Sequence, residues 1–193
     1  NLPFCQIPLA NAATALAAVQ YLPFDISEQI LRKSLQEVEL VGRFQAIKVD
    51  KREKLADYLG VSVETLPTII VDVGHNPHAA KYLSEKLTAL KCNIEGKIIA
   101  VCGMLKDKDA NGVFAHLTPI IDEWNCVTLG GYRGQSGDEL AEKLKSHFSH
   151  VQATSDNSVM DGVRTALKSA VKNDVVLVFG SFHTVAEFWS VVE

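Results

Sequence analysis

Four short apolar segments of the chain each end in glycine and polar residues, a combination suited to holding an anionic ligand. The endings read Asp72-Val73-Gly74-His75-Asn76, Gly103-Met104-Leu105-Lys106-Asp107, Gly130-Gly131-Tyr132-Arg133-Gly134 and Gly180-Ser181-Phe182-His183-Thr184. Glycine allows a ligand to approach the backbone closely, and the N-terminus of a following helix offers unpaired amides to an anion. Ligands of open α/β sheets bind at the carboxyl edge of the strands. The pattern therefore indicates an anion site at such an edge.

Each of these polar groups also has a purely structural interpretation, which the sequence leaves open. Residues 72–76 can be turn and capping chemistry. Ser181 and Thr184 can be ordinary helix N-caps. Lys106 lies among Asp107, Lys108 and Asp109 and can belong to a solvated charge cluster.

A serine hydrolase is one alternative interpretation of the same residues. Ser181 follows an apolar segment, as a nucleophile should, and could act with Asp72. The base would be His75 or His183, which differ from the other four histidines by their position at strand ends. However, Gly180-Ser181-Phe182-His183 does not match Gly-x-Ser-x-Gly, so the sharp turn of a nucleophile elbow is not encoded.

The chain lacks both glycine-rich sequences that commonly bind nucleotide phosphates. No Gly-x-x-x-x-Gly-Lys-Ser/Thr is present, and Gly96-Lys97 is not followed by Ser or Thr. Gly131, Gly134 and Gly137 are evenly spaced but do not form Gly-x-Gly-x-x-Gly. The chain thus has no recognisable triphosphate loop of its own. A second alternative interpretation is a non-catalytic module that binds a nucleotide or another anion.

The elements that would carry these residues alternate between strands and helices. Six runs rich in β-branched residues predict strands at residues 44–49, 68–71, 97–102, 125–129, 151–153 and 174–179. Apolar residues three and four apart predict helices between most of them. We therefore expect an α/β fold, a Rossmann-like and mostly parallel sheet of about six strands with helices on both faces.

Local signals place several helix boundaries. Asn76-Pro77 predicts an N-cap followed by a first-turn proline. Ser136-Gly137-Asp138-Glu139 predicts a capping box that opens a helix reaching residue 148. Pro119 is expected to kink or restart a helix over residues 113–123. Residues 51–59 predict a small additional helix.

The first forty residues differ from the rest because two helical segments, residues 9–19 and 27–38, have no strand between them. We interpret residues 1–40 as a helical remnant of a preceding domain and residues 41–193 as a domain of their own. The first residue is Asn1 rather than Met, which suggests a fragment, and no signal peptide is expected.

Composition excludes several classes of protein. The net charge is −4 and no segment concentrates Lys and Arg, so we expect no nucleic-acid partner. No apolar run approaches the ~20 residues of a membrane span. No Cys-x-x-Cys is present, and no cysteine lies at metal-ligand spacing from a histidine pair. We expect buried free thiols in a reducing, cytoplasmic compartment; the cysteines are Cys5, Cys92, Cys102 and Cys126.

Four segments in this order resemble the folylpolyglutamate synthase/dihydrofolate synthase branch of the Mur ligase superfamily. They begin with Asn11-Ala12-Ala13-Thr14, Gly42-Arg43-Phe44-Gln45, Asp72-Val73-Gly74-His75-Asn76-Pro77-His78 and Gly180-Ser181-Phe182-His183-Thr184. The segment of residues 103–109 supports them, and together they cover nearly the whole chain. Residues 48–66 look like an insertion relative to the family.

The resemblance implies the carboxyl-terminal domain of an ATP-dependent ligase. Family members activate the acid substrate as an acyl phosphate, which the amine of glutamate then attacks. The implied substrates are folate or dihydropteroate, L-glutamate and ATP, with Mg²⁺ held mainly by an amino-terminal ATPase domain. Whether one or both of the two synthase activities are present is left open, and so is the oligomeric state.

The same resemblance assigns roles to seven residues. Those expected to serve ATP are Asn11 near the adenine, Arg43 at the phosphates, Asp72 at the ribose and His75 on the phosphate and glutamate side. Those expected to hold glutamate are Lys106, Ser181 and His183. Arg43 and His75 are the expected catalytic residues, and a guanidinium can pair phosphate oxygens bidentately.

Overall fold

The computed structural model describes residues 7–193, so Cys5 lies outside the described residues. The chain divides into two compact units, Asn1–Arg43 and Phe44–Glu193. The first unit contains helices α1 (Leu9–Val19) and α2 (Glu28–Glu37), both as predicted. Ser27 caps α2 by accepting a hydrogen bond from the Ile30 amide at 3.4 Å. The assignment of this unit to a preceding domain stays a prediction.

The first unit buries little apolar surface of its own. Ala12 and Leu35 are its buried apolar residues among those described, while Tyr21 is 90% exposed and Phe24 is also exposed. We expect the amides of α1 and α2 to exchange hydrogen faster than those of residues 175–179, because few buried contacts oppose local opening. Hydrogen-exchange mass spectrometry on the isolated chain measures this. Equal protection of the two regions would show that the helices share the stability of the sheet.

The second unit is built on a six-stranded sheet in the order β1-β2-β6-β3-β4-β5. The strands are β1 (Gln45–Ala46), β2 (Thr68–Asp72), β3 (Ile98–Cys102), β4 (Glu123–Val127), β5 (Ala153–Asp156) and β6 (Val175–Phe179). β1 pairs antiparallel to β2, and all other pairs are parallel. The predicted α/β class and mostly parallel sheet are thus confirmed.

Helices cover both faces of the sheet, also as predicted. They are α3 (Val49–Leu59), α4 (Pro77–Lys91), α5 (Ala110–Leu117), α6 (Gly137–His147), α7 (Val159–Ser169) and α8 (Phe182–Val192). Side chains of α3, α7 and α8 pack in one core and those of α4, α5 and α6 in the other. Successive strand residues face opposite cores, with Val176 in the first and Val175 and Leu177 in the second. Such strands must be apolar throughout.

Two local predictions of helix starts are confirmed. The Asn76 side chain accepts from the Ala79 amide at 2.9 Å, and Pro77 occupies the first turn of α4. Ser136 accepts from the Glu139 amide at 3.2 Å, and the Glu139 carboxylate accepts from the Ser136 amide at 3.0 Å. Asn/Pro and Ser/Glu spacing therefore specify these starts locally.

Three predicted strands have a start or an end that differs from the observed one by two residues or more, and the other three differ by one residue. The strand expected at residues 44–49 is reduced to the two residues of β1, because α3 already begins at Val49. β4 lies two residues earlier than expected, since Trp124 and Cys126 fill a core and the Leu129 amide donates instead to Gln135 O at 3.0 Å. β5 lies two residues later than its predicted start.

Two further predictions are wrong. Pro119 neither kinks nor restarts a helix, because α5 ends at Leu117 and Glu123 belongs to β4. Proline cannot donate the next helical hydrogen bond.

Cys92 is exposed at the end of α4, whereas Cys102 and Cys126 are buried free thiols as expected. Burial raises the pKa of Cys126 to about 12, so this thiol stays protonated.

The segment of residues 48–66 is an integral part of the second unit. Leu55, Ala56 and Leu66 are buried in the core formed with α7 and α8. Arg52 of α3 donates to the carbonyls of Pro67 at 2.6 Å and Leu66 at 2.8 Å, directly before β2. Throughout residues 7–193, no helix is both long enough and apolar enough to span a membrane.

Candidate functional site

The carboxyl ends of β2, β6, β3 and β4 lie side by side at one edge of the sheet. Asp72 is in register with Phe179, Phe179 with Cys102, and Cys102 with Cys126. The loops that follow these residues therefore start at the same level. The predicted convergence of polar strand ends at one edge is confirmed.

The loops after β3 and β6 are joined at the middle of this edge. The Gly103 amide donates to Phe179 O at 3.0 Å, and the Thr184 hydroxyl donates to Gly103 O at 2.7 Å. Gly180 has φ +110°, and a Cβ there would lie 2.6 Å from Gly103 O. Thr184 is thus a buried residue of α8 whose hydroxyl binds the helix to the loop after β3. Its interpretation as an N-cap is wrong.

Ser181 is the N-cap of α8. Its Oγ accepts from the His183 amide at 3.1 Å, and the residue is 3% exposed. An accepting hydroxyl keeps its own proton for donation, so the cap leaves one donor for a carboxylate. Within the described part of the chain the Ser181 hydroxyl has no hydrogen bond to an imidazole. The hydrolase interpretation gains no support from this arrangement.

The Asp72 carboxylate accepts hydrogen bonds from two backbone amides. Its Oδ2 accepts from the Phe44 amide at 2.8 Å and its Oδ1 from the Gly74 amide at 2.6 Å. The side chain is 7% exposed. Phe44 has φ +44°, a conformation that costs a non-glycine residue ~1–3 kcal/mol. The carboxylate thus stabilises a strained residue 28 positions away, a role that the sequence prediction for Asp72 missed.

We expect Asp72→Asn to destabilise the isolated chain by about 1–3 kcal/mol. The amide NH₂ would face one of the two backbone N–H groups, which leaves a buried donor unpaired. Urea unfolding measures the change. Asp109→Asn is the matched control, because exposed Asp109 caps α5 through the Gly112 amide at 2.9 Å and Asn caps equally well. Equal, small effects of both changes would contradict the assigned role of Asp72.

His75 has one ring nitrogen committed to the backbone. Its Nδ1 lies 2.9 Å from Val73 O, and because a carbonyl only accepts, Nδ1 carries a proton. Nε2 is then the nitrogen that can exchange a proton with a ligand. The half-buried His75 ring is 6.2 Å from the exposed Phe182 ring, measured between centroids. This contact links the loop after β2 to the start of α8.

Lys106 projects from the loop after β3 and is exposed. Its amide donates to Arg133 O at 3.0 Å, and its Nζ lies 4.8 Å from the centroid of the Tyr132 ring. Arg133 in turn donates through Nε and Nη2 to the two carboxylate oxygens of Asp107, at 3.0 and 2.6 Å. The Arg133 guanidinium holds the pKa of the Asp107 carboxyl well below its usual range. Tyr132 and Arg133 belong to one of the four polar strand ends, but neither was assigned an individual role from the sequence.

The seven predicted site residues are divided between the two units. Asp72, His75, Lys106, Ser181 and His183 all follow strands at the described edge of the second unit. Asn11 and Arg43 belong to the first unit. Asn11 is an exposed residue of α1, and the Arg43 amide donates to Leu40 O at 3.2 Å. His183 is exposed in the first turn of α8.

Across residues 7–193, no group of three or more His, Cys, Asp or Glu side chains is arranged to hold a metal ion.

Residues 60–182 match the family "Mur ligase, glutamate ligase domain". The chain is 92% identical over 193 residues to a dihydrofolate synthase/folylpolyglutamate synthase of Haemophilus influenzae, covering all of this chain and 44% of that protein. It is 38% identical over 193 residues to the enzyme of that name from Escherichia coli, covering 40% of its length. The chain thus spans less than half the length of these curated relatives.

Solved structures of relatives have the same fold. The E. coli FolC complex with DHPP and ADP matches with a TM-score of 0.81 at 38% identity, over 100% of this chain and 41% of that one. A bifunctional folylpolyglutamate synthase/dihydrofolate synthase with Mn, AMPPNP and L-glutamate matches with a TM-score of 0.77 at 40% identity, over 98% and 41%. The match extends over both units of the chain.

Proposed function

Because this chain belongs to the Mur ligase glutamate-ligase domain family, we propose that it is the carboxyl-terminal part of a dihydrofolate synthase/folylpolyglutamate synthase. The observation that carries the proposal is the 92% identity to such a protein over every residue of the chain. The chemistry of the sheet edge supports it. The Lys106 ammonium, the His75 imidazole and the helix-capping hydroxyl of Ser181 all lie at this edge, and such groups can bind an amino acid and a phosphate.

The proposed reaction forms an amide in two steps. A carboxylate oxygen of the folate or dihydropteroate acceptor attacks the terminal phosphorus of ATP, so a carbon–oxygen–phosphorus link forms and ADP leaves. The amine of L-glutamate then attacks the activated carbonyl carbon. An amide bond forms, the phosphate leaves with the bridging oxygen, and the attacking neutral amine gives up one proton and keeps the other as the amide N–H.

Three residues of the edge are proposed to hold glutamate. The Lys106 ammonium is a point charge suited to one carboxylate of the amino acid. The Ser181 hydroxyl accepts from the α8 backbone and keeps a proton to donate to a carboxylate. His183 follows at the exposed start of the same helix. The positive end of a helix dipole favours an anion at this place.

Four residues are proposed to serve ATP. The Arg43 guanidinium would pair phosphate oxygens and offset the charge that develops on them. The Asn11 amide has both a donor and an acceptor for the adenine edge, and a carboxylate such as Asp72 can accept from a ribose hydroxyl. His75 has Nδ1 donating to Val73 O, so Nε2 can take a proton from the attacking amine.

The remaining components belong to the longer protein. A relative's structure contains AMPPNP and Mn, and we propose a divalent metal, Mg²⁺, with ATP here. The metal is proposed to bind mainly to an amino-terminal ATPase domain of the same chain. Either or both synthase activities are compatible with this domain, and a cytoplasmic location accords with the three free cysteines described.

The proposal predicts a difference between the isolated chain and the longer protein that contains it. The isolated chain is expected to fold as an α/β domain without releasing phosphate from ATP in the presence of glutamate and acceptor. The longer protein is expected to release phosphate only when both are present. Malachite-green phosphate assays measure this. Glutamate-independent release by the longer protein would contradict the proposal, and a non-catalytic binding module would give no release from either.

A further inference from the structure

Two loops at the sheet edge are fastened to each other at three points. We call residues 103–109 the lysine loop and residues 128–135 the arginine loop. The Lys106 amide donates to Arg133 O at 3.0 Å, and the Arg133 guanidinium binds both carboxylate oxygens of Asp107. The Gln135 amide group donates to Met104 O at 2.9 Å. The arginine loop therefore helps to set the position of the lysine loop, whose first residue, Gly103, is also hydrogen-bonded to Phe179 and Thr184.

The base of the arginine loop is rigid. Gln135 is only 6% exposed, and its carbonyl accepts from the Leu129 amide at 3.0 Å. Its side-chain Oε1 accepts from Lys143 Nζ of α6 at 3.0 Å. A buried amide with donor and acceptor both paired is costly to displace, because moving it leaves polar groups unsatisfied. Gln135 thus anchors both loops to the body of the unit.

The tip of the arginine loop is a tight turn that presents two side chains. The Gly134 amide donates to Gly131 O at 3.0 Å, and Gly131 has φ +85°. A Cβ on Gly134 would lie 1.9 Å from Leu129 O, so this position requires glycine. The turn places Tyr132, which is 92% exposed, beside the Lys106 ammonium. Neither Tyr132 nor Arg133, the two side chains of the tip, belongs to a hydrophobic core.

We propose that Arg133 is a positioning residue for glutamate binding: through Asp107 and its own carbonyl it holds the lysine loop so that the Lys106 ammonium is preorganised for a carboxylate. The inference rests on the proposed function. The guanidinium fork of Arg133 is taken by Asp107, so Arg133 acts on glutamate through Lys106. A lysine side chain loses much rotamer freedom on binding, and an anchored backbone with an adjacent aromatic ring reduces that loss.

Exposure argues against a role for this ion pair in overall stability. The side chains of Arg133 and Asp107 are 53% and 43% exposed, and exposed ion pairs contribute little to folding. The pKa of Asp107 is depressed, so the carboxylate stays ionised and the fork stays closed down to acidic pH. What the pair does is join two loops 26 residues apart in sequence. Its effect is therefore expected on local order.

The test uses Arg133→Ala and Arg133→Lys in the longer protein, with KM for glutamate and kcat measured separately. Arg133→Ala is expected to raise the glutamate KM roughly twofold to tenfold, the cost of ordering one long side chain, with kcat little changed. Lysine restores the charge without the bidentate fork, so Arg133→Lys should recover only part of the loss. Arg164→Ala is the matched control, because that exposed arginine pairs with Asp161 inside a single helix.

Asp107→Asn separates positioning from direct binding by Arg133. Positioning predicts that Asp107→Asn raises the glutamate KM as Arg133→Ala does, and that the double variant is no worse than either. If Arg133 bound glutamate itself, removing the competing carboxylate would lower KM, and that result overturns the proposal. Hydrogen exchange of the lysine loop is expected to accelerate in both variants, and unchanged exchange overturns it too. A Lys106→Ala variant with normal glutamate KM would instead refute the glutamate role of Lys106.

Discussion

Replacing Arg43 by alanine is expected to lower kcat of the longer protein on the order of 10²- to 10³-fold, the usual cost of removing one donor from a developing anion. Phosphate charge changes most in the transition state, so the loss should fall on kcat rather than on the KM for glutamate. Arg43 is exposed and directly precedes the strained residue Phe44. Steady-state kinetics with ATP and glutamate varied in turn measure the effect.

Two further variants make this result specific. Arg43→Lys keeps the charge but loses the bidentate fork, so an intermediate kcat is expected. Arg32→Ala removes an exposed arginine of the same unit, whose Nη2 lies 2.7 Å from Glu28 Oε1, and should leave kcat unchanged. A normal kcat for Arg43→Ala, or an equal loss for Arg32→Ala, would contradict the assignment of Arg43 to the ATP phosphates.

The second large effect is expected for Ser181→Ala, which should raise the glutamate KM roughly tenfold to a hundredfold. A hydrogen bond to a charged carboxylate contributes ~1.5–3 kcal/mol, which converts to that range. The same change removes the N-cap bond to the His183 amide and should reduce stability by about 1 kcal/mol. Kinetics and a melting curve on the same preparation measure both effects.

Ser158→Ala is the control that separates the two roles of Ser181. Ser158 caps α7 by accepting from the Asp161 amide at 3.1 Å, so its loss should lower stability by a similar amount and leave the glutamate KM unchanged. If Ser181→Ala also lowers only stability, Ser181 is a cap alone and its glutamate role is refuted.

Short-range signals account for most of what the sequence predicted correctly. Strand and helix order follows from the spacing of apolar residues, and both predicted caps, at Asn76 and Ser136, depend on partners three residues away. The bounds of α1 were recovered fully for the same reason. Parallel strand order then brings the polar ends to one edge without further information.

Two of the failed predictions depend on contacts that are distant in sequence. The end of β4 depends on how Trp124 and Cys126 fill a core, in which the Trp124 ring lies 6.1 Å from the Phe179 ring between centroids. Thr184 was interpreted as a cap because its partner, Gly103, lies 81 positions away. Such pairings arise only when the sheet assembles, and local patterns do not encode them.

The candidate site shows the same division. The positions of His75, Lys106 and Ser181 at strand ends were predictable, because each follows an apolar run. The fork between Arg133 and Asp107 was not, since it joins two loops through side chains of ordinary charged residues. Resemblance to a family assigns ligands to residues of the chain. The contacts that hold those residues in place, such as the Arg133–Asp107 pair, are seen only in the structure.

The most direct test of the ligase proposal follows one oxygen atom. The longer protein would be supplied with ATP, Mg²⁺, L-glutamate and an acceptor, dihydropteroate or tetrahydrofolate, whose carboxylate carries a heavy-oxygen label. Activation as an acyl phosphate predicts that each amide bond formed transfers one labelled oxygen to inorganic phosphate, detected by mass spectrometry, and that the label on phosphate requires acceptor and glutamate together. Unlabelled phosphate accompanying amide formation, or no glutamyl product with either acceptor, would contradict the account.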